Sequence, residues 1–276
     1  MQLHDVLRLY EEGFRDFIGL SLVGIDFSSR ILVGVDFSNS DLSGANFSRT
    51  FLTNANFTRA NLSQTNLQFA KLSDACLSHA TLTKANLQGA FCVRSDLTEV
   101  SASGANMSHI NLRDAKLTGA NLSGVALTGA NLRNADLSTA NLAWTGMKGV
   151  RLIGGAIAQT IFTGTNLTQA SLNGLNFDGM SLSGVDFSEA RLRGASFQRA
   201  DLTATNFREA SLENSNFRWA QLAGADFTQA HLHHARFAQA DLRRVDLDQH
   251  NWREADLSGA YLQELGLVRM QMASAC

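Results

Sequence analysis

Proline is absent from the 276-residue chain, and the only cysteines are Cys76, Cys92 and Cys276. Three cysteines without a CxxC pair provide no disulfide framework, as is typical of proteins in a reducing compartment. The 23 basic residues nearly balance the 25 acidic ones, so the charge points to no nucleic acid, acidic substrate or membrane surface. No apolar run approaches the roughly 18 residues of a membrane span, and the start does not resemble a signal peptide. We therefore expect a cytoplasmic protein.

A five-residue repeat runs through nearly the whole chain. Every fifth residue from Phe17 to Leu267 gives 51 positions, which we call centres, and 45 of them are Leu or Phe. The residue two before a centre is usually small, and the residue just before it is Asp or Asn in 27 of the 51 units. No insertion or deletion interrupts the register, so the period decides the architecture.

The repeat predicts a very short strand followed by a corner. Side chains alternate along an extended segment, so a centre and the small residue two before it point to one side, while the intervening Asp or Asn points out. The Ser, Thr, Asn and Gly at the remaining two positions favour turns. Repeated corners coil the chain into an all-β solenoid. The absence of proline fits a coil in which nearly every turn donates N–H groups to its neighbour.

The pattern resembles the pentapeptide repeat family, whose A(D/N)LXX consensus is visible as ADLST at 135–139, ANLSG at 120–124 and ADLSG at 255–259. The resemblance implies a right-handed quadrilateral β-helix with four pentapeptides in each coil, hence about 12–13 coils. The phenylalanines support an even number of faces, since twelve of the thirteen Phe centres share a ten-residue register. The opening YEEGFRDFIGLSL is also similar to cyanobacterial members, one of which regulates heterocyst differentiation by protein contact.

The two ends depart from the repeat. The apolar spacing of Leu3, Val6, Leu7, Tyr10 and Phe14 predicts a capping helix over residues 2–12. We expect an N-terminal helical cap at 1–15, one uninterrupted β-helix at 16–267, and a C-terminal tail or cap at 268–276. The repeats at 91–107 and 143–162 are irregular, and either a functional role or decay of the repeat fits the sequence.

The sequence carries no pattern typical of an enzyme. The GxSxG, HExxH, Walker-type and Rossmann motifs are all missing, and a core filled with Leu and Phe leaves no cavity for a substrate. The acids before the centres are expected to bond the backbone at their own turns. His250, two residues before Trp252, is expected to point inward as a hydrogen-bonded core histidine. No enzymatic activity and no cofactor are therefore expected.

The stretch HLHHARF contains the densest group of histidines, His231, His233 and His234. In a 20-residue coil, Glu213 lies one coil before His233 and Glu254 one coil after His234. A metal ion needs several convergent lone pairs, and His231 and His233 share an outward face. Solvated polar surface with some His–Glu pairing is the favoured alternative, so no metal site is assigned.

One outward column of the predicted coil is apolar where other columns carry Asp or Asn. Its residues, together with the adjoining column and one corner, form a patch that we call the apolar patch. Contiguous exposed apolar surface usually marks an interface, although isolated hydrophobes or partial cover by the N-terminal helix would also fit. The apolar patch comprises Ile31, Val33, Phe51, Phe69, Lys71, Phe91 and Val93.

These features predict a non-enzymatic interaction, scaffold or regulatory protein that binds an unidentified protein partner. A homodimer formed through an end of the coil or through the apolar patch is a further expectation. One alternative is the DNA-mimic class of the family, which binds DNA gyrase and protects it from quinolones; the near-neutral charge and missing loops disfavour it. The other is a purely structural rod. Neither nucleic acid nor a membrane is expected as a partner.

Overall fold

The computed structural model describes residues 1–247, 252 and 254–262. The chain divides into two compact units, one of residues 1–166 and one that begins at Leu167. The described part contains one helix, α1, over Leu3–Glu11. None of its segments is a helix long and apolar enough to cross a membrane. The division predicted above stays a prediction, and the tail at 268–276 and His250 lie outside the described residues.

Each coil contains four pentapeptides, because the strands are single residues that pair in parallel with the residue four pentapeptides later. In the first unit these bridges run from the pair Asp16 and Asp36 to the pair Gly146 and Asn166. In the second unit they run from Ser171 and Arg191 to Asp241 and Tyr261. With one pentapeptide per side, the coil has four sides, as predicted.

Backbone hydrogen bonds explain why the chain contains no proline. In the pentapeptide 41–45, all five backbone N–H groups donate, so a residue without an N–H would leave an acceptor unmatched. The bonds run from Asp41 to Leu20 O (2.8 Å), Leu42 to Asn61 O (2.8 Å), Ser43 to Asp41 Oδ1 (3.1 Å), Gly44 to Ser63 O (2.9 Å) and Ala45 to Leu42 O (3.0 Å).

At every described corner, the second residue after the centre has a positive φ, between 53° and 75°. The residue after it donates its backbone N–H to the carbonyl of the centre, as Ala45 does to Leu42. This hydrogen bond and the left-handed conformation are typical of a type II turn, which favours glycine at the left-handed position. Most of these residues are not glycine, and they include Phe69, Trp144 and His234. The closure of the coil therefore holds many side chains in an unfavourable backbone conformation.

Replacing Ala204 by glycine is therefore expected to stabilise the second unit. An L-residue in the left-handed region costs about 1–2 kcal/mol, and glycine loses about 0.5–1 kcal/mol of conformational entropy on folding. Ala204 has φ 53°, so the difference between these two terms should raise the free energy of unfolding by up to about 1.5 kcal/mol, measurable as a higher Tm. The control is Ala200→Gly at a buried inward position, which should lower the Tm. Equal losses in both variants would contradict this interpretation of the corner.

The centres fill the interior as predicted, since each one from Phe17 to Leu242 is buried. The small residues two before them are also mostly buried, and most are alanine. Where this position holds Ser or Thr, the hydroxyl usually donates to the carbonyl of a centre in the preceding coil, so that the buried group is satisfied. Residues with this bond are Ser40, Thr50, Thr145, Thr160, Thr165 and Thr205.

The phenylalanine centres form the stacks that the ten-residue register predicted. In the second unit, rings one coil apart are nearly parallel, with centroids 4.9 Å apart for Phe177 and Phe197. Rings half a coil apart meet edge to face, as Phe187 and Phe197 do at 6.0 Å and 79°. Both geometries are favourable for aromatic pairs. Two stacks on opposite faces thus interlock across the interior.

Helix α1 begins and ends one residue inside the predicted boundaries. The carboxylate of Asp5 accepts the backbone N–H of Gln2 at 3.0 Å, which supports the start of the helix. Val6 is buried, and the hydroxyl of Tyr10 donates to the carbonyl of Val33 at 3.0 Å. Phe14 lies beyond the helix and is exposed, so its assignment to the apolar stripe was wrong. The chain turns at Gly13, where φ is 99°, before the repeat begins.

Candidate functional site

The acids before the centres maintain the turns. The backbone N–H of Ser43 donates to Asp41 Oδ1 at 3.1 Å, and the amide of Asn61 donates to the same oxygen at 2.9 Å. These hydrogen bonds hold the pKa of Asp41 below its ordinary value, and the bond from the Ser43 backbone contributes most. Asp241 likewise has a lowered pKa, chiefly because the side chain of Arg243 donates to it. Such carboxylates stay ionised and engaged, which suits architecture better than acid–base chemistry.

The two described cysteines are free thiols in different surroundings. Cys92 is a centre, and burial raises the pKa of its thiol to about 12. Cys76 is half-buried, with its sulfur 3.1 Å from the Thr58 hydroxyl and 3.3 Å from the Ser78 hydroxyl. A buried protonated thiol is unreactive, so Cys92 is a core residue. Cys276 lies outside the described residues.

Four residues of the apolar patch, Ile31, Phe51, Lys71 and Phe91, form a column on one hydrogen-bonded face of the first unit. Ile31 pairs with Phe51, Phe51 with Lys71, and Lys71 with Phe91, each as a parallel bridge between successive coils. Ile31 is 65% exposed, Phe51 47% and Phe91 39%, so α1 leaves these three side chains exposed. The structure therefore brings together four residues that are spread over 61 positions of sequence.

Two contacts orient side chains within the apolar patch. The ammonium of Lys71 lies 3.3 Å from the centroid of the Phe91 ring, a cation–π contact. Phe69, at a corner and 45% exposed, lies across Gly89 of the following coil, where a Cβ would meet its ring at 2.5 Å. Glycine at position 89 thus leaves room for the Phe69 ring at the edge of the patch.

The remaining members of the patch adjoin the column. Val33 is 38% exposed and Val93 is half-buried. Beside Val93, Arg94 donates two hydrogen bonds to Asp74, at 2.8 and 2.7 Å, so this charge is already paired within the chain. The patch thus has a polar border on the side of Val93, as interfaces commonly do.

A groove adjoins the patch at its N-terminal edge. Sequence reasoning missed it, although the helical spacing of Leu7 and Tyr10 indicated that these side chains would pack against the coil. The groove has a volume of about 370 Å³, and Ile31 belongs both to it and to the apolar patch. Its lining residues are Leu7, Tyr10, Glu11, Ser29, Arg30 and Ile31.

A second group of side chains converges in the second unit. His233, His234 and Glu254 each place one potential metal-ligating atom within 4.8 Å of the others, and no further group of this kind occurs in the described residues. The sequence had placed His231 beside His233, but His231 is not in the group. His234 and Glu254 occupy equivalent corners one coil apart and their side chains meet, as the 20-residue spacing predicted, whereas Glu213, like His231, is not in the group.

Comparison with solved structures finds related repeat proteins. HetL of Nostoc sp. strain PCC 7120, a pentapeptide repeat protein involved in heterocyst differentiation regulation, is 30% identical; the match covers 96% of this chain and 98% of HetL, with a TM-score of 0.47. A trypsin-treated QnrB1 variant, a plasmid-mediated fluoroquinolone resistance protein, is 17% identical over 90% of this chain and 92% of its own, with a TM-score of 0.38. A pentapeptide repeat protein of the Arabidopsis thaliana thylakoid lumen is 33% identical over 40% of this chain and 70% of its own, with a TM-score of 0.26.

Family models match most of the sequence, whereas none of the curated proteins compared with the chain matches it. A model described as a pentapeptide repeat region matches residues 192–267. The model of pentapeptide repeats in eight copies matches residues 21–59, 40–78, 75–114, 105–143, 115–154 and 160–199. The right-handed quadrilateral β-helix implied by these repeats agrees with the four-sided coil. The chain therefore belongs to the pentapeptide repeat family.

Proposed function

We propose that this chain is a non-enzymatic interaction protein, a scaffold or regulator, which binds a protein partner through the apolar patch. The observation that carries the proposal is the column of Ile31, Phe51, Lys71 and Phe91, whose three apolar members are exposed on a face that the backbone ladder holds in place. A rigid surface needs little ordering on binding, which favours affinity. Exposed aromatic residues are the side chains that most often dominate interface energetics.

The chemistry of the patch indicates the kind of partner. Lys71 lies within the column, and the side chains of Arg30 and Arg49 occupy exposed positions next to Ile31 and Phe51. We infer a partner whose surface has an apolar centre with carboxylates at its border, because opposite charges at a rim steer association. Self-association is the alternative, and the experiment below distinguishes the two.

Replacing both Phe51 and Phe91 by serine should weaken partner binding about tenfold or more. The measurement is affinity capture from the native host with tagged wild-type and F51S/F91S proteins, followed by quantitative mass spectrometry. We expect at least one partner to be depleted about tenfold or more, since two aromatic anchors of about 1–2 kcal/mol each would be lost. Size-exclusion chromatography with light scattering on purified protein tests self-association separately.

The matched control is Trp144→Ser, because Trp144 is a 72% exposed aromatic residue in the same unit but outside the patch. Its captured proteins and its oligomeric state should equal those of the wild type. If F51S/F91S retains every partner and the same molar mass, the apolar patch is not the binding surface.

Several expectations from the sequence belong to the same proposal. Acids before the centres, such as Asp41, are engaged in turns, and the described interior is filled with Leu and Phe, which supports a protein without enzymatic activity. A DNA-mimic role gains no support from the electrostatics, because Arg193, Arg199 and Arg208 are exposed in the second unit. We propose that the chain binds its protein partner in the cytoplasm, and that this binding involves no nucleic acid, membrane or cofactor.

A further inference from the structure

We propose that His233, His234 and Glu254 form a binding site for one divalent transition-metal ion, with zinc as the representative ion. The site lies on a corner of the second unit, and all three side chains are exposed. Two imidazoles and one carboxylate are a donor set that suits zinc, and exposure leaves a further coordination position open to water or to another ligand.

The distances fit a shared ion. Nδ1 of His233 lies 3.2 Å from Oε2 of Glu254, and Nε2 of His234 lies 3.4 Å from the same oxygen. Zinc bonds of about 2.0–2.1 Å in a tetrahedron separate neighbouring ligand atoms by about 3.3 Å. Two of the three ligand–ligand separations therefore already have the required length. The third, between the imidazole nitrogens, is no more than 4.8 Å and closes by side-chain rotation.

The backbone holds the two histidines in position. The N–H of Asn214 donates to the carbonyl of His233 at 2.9 Å, and Ala235 closes the corner through Leu232 O at 2.9 Å. The two imidazole rings lie against each other, with centroids 4.1 Å apart. The backbone therefore fixes the positions of both residues, and side-chain rotation alone is needed for both imidazoles to face one ion.

An open groove adjoins two of the three ligands, His234 and Glu254. Its volume of about 320 Å³ offers room for water at the remaining coordination positions of the ion. The groove is lined by Asn214, His234, Ala235, Arg236, Glu254 and Asp256.

The first unit contains a natural comparison. His79 and Glu99 occupy the same corner position as His234 and Glu254, also one coil apart, and His79 Nδ1 lies 3.1 Å from Glu99 Oε2. Ser78 stands where the second unit has His233. The two corners thus share a His–Glu pair and differ in the additional imidazole, so a simple ion pair and a metal site can be told apart.

The experiment is isothermal titration of tag-free, metal-stripped full-length protein with ZnCl₂, repeated with Co²⁺ while its visible absorption is recorded. The wild type should bind about one ion, and His234→Gln or Glu254→Gln should weaken binding at least about tenfold, because each variant removes one of three ligands. The Co²⁺ spectrum should change in the same variants. His79→Gln should bind like the wild type.

A reciprocal variant tests the geometry independently. Ser78→His adds the missing imidazole at the first corner, so this protein should bind about two ions where the wild type binds one. The proposal is overturned if the wild type binds no zinc at micromolar concentrations, or if His79→Gln weakens binding as much as His234→Gln does. Circular dichroism melting of each variant identifies any loss that comes from unfolding rather than from a missing ligand.

Discussion

Replacing Phe207 by alanine should lower the free energy of unfolding of the second unit by about 3–5 kcal/mol, the usual cost of removing a buried phenylalanine. Its ring contacts Phe187 at 5.3 Å and Phe227 at 5.1 Å within one stack. It also meets Phe197 and Phe217 of the opposite stack edge to face, at 5.8 and 5.7 Å. The ring is fully buried, and the ladder on every side opposes collapse of the cavity left behind.

The measurement is chemical denaturation followed by circular dichroism, with the two units analysed as separate transitions where the curve resolves them. Phe207→Leu is the matched control, since leucine fills most of the other centres. The Phe207→Leu variant should lose less than about 1.5 kcal/mol of the free energy of unfolding, because one large apolar side chain replaces another. Equal losses in the alanine and leucine variants would show that ring contacts contribute little to this core.

Deleting residues 116–135 should leave a folded protein, whereas deleting residues 116–134 should not. The longer deletion removes one complete coil and joins Ala115 to Asp136, so every later centre keeps its inward position. The shorter deletion joins Ala115 to Ala135 and shifts each later residue by one place. The centre positions would then receive Asp136 and Arg151, and burying such charges without partners is strongly unfavourable.

Circular dichroism, thermal melting and light scattering on the two purified proteins test this pair. The whole-coil deletion should keep the β signal and a cooperative transition. The shorter deletion should lose several kcal/mol, more than most single substitutions cost, and appear unfolded or aggregated. If both deletions fold equally well, the chain bulges out one residue at low cost, and the register is less strictly specified than the ladder indicates.

The period of the sequence was enough to predict most of the architecture. Side chains alternate in an extended segment and a corner returns the chain, so the register of the centres determines which residues are buried. The ten-residue spacing of Phe177, Phe187 and Phe197 correctly indicated stacks on opposite faces. The end of α1 was less predictable, because Phe14 continues the helical spacing while Gly13 at positive φ turns the chain away.

The surface was only partly predictable, for a different reason. Stacking the sequence coil by coil identified the column of Ile31, Phe51 and Phe91, since strand pairing is a property of the backbone. Side-chain rotation is not set by the period, so the contact of Lys71 with the Phe91 ring could not be foreseen. The 20-residue spacing correctly placed Glu254 one coil after His234, but it gave no reason to prefer His234 over His231 as the neighbour of His233 in the group.

The irregular repeats show how far the coil tolerates departures from consensus. Cys92, Ala102 and Met107 are buried centres within the stretch 91–107, and the ladder continues from Phe91 to Asn111. Met147 is likewise buried in the stretch 143–162. The hydrogen bonds of the coil are made by the backbone, so an apolar side chain of another size can occupy a centre. A functional role for these stretches stays a prediction.

The glycine beneath Phe69 has a consequence for how the sequence can change over time. At three corners of the first unit, a ring lies across the glycine one coil later, namely Phe69 over Gly89, His109 over Gly129 and Trp144 over Gly164. A side chain at any of these glycines would push the ring aside. Substitutions in this chain should therefore be correlated between positions one coil apart more strongly than between residues adjacent in sequence.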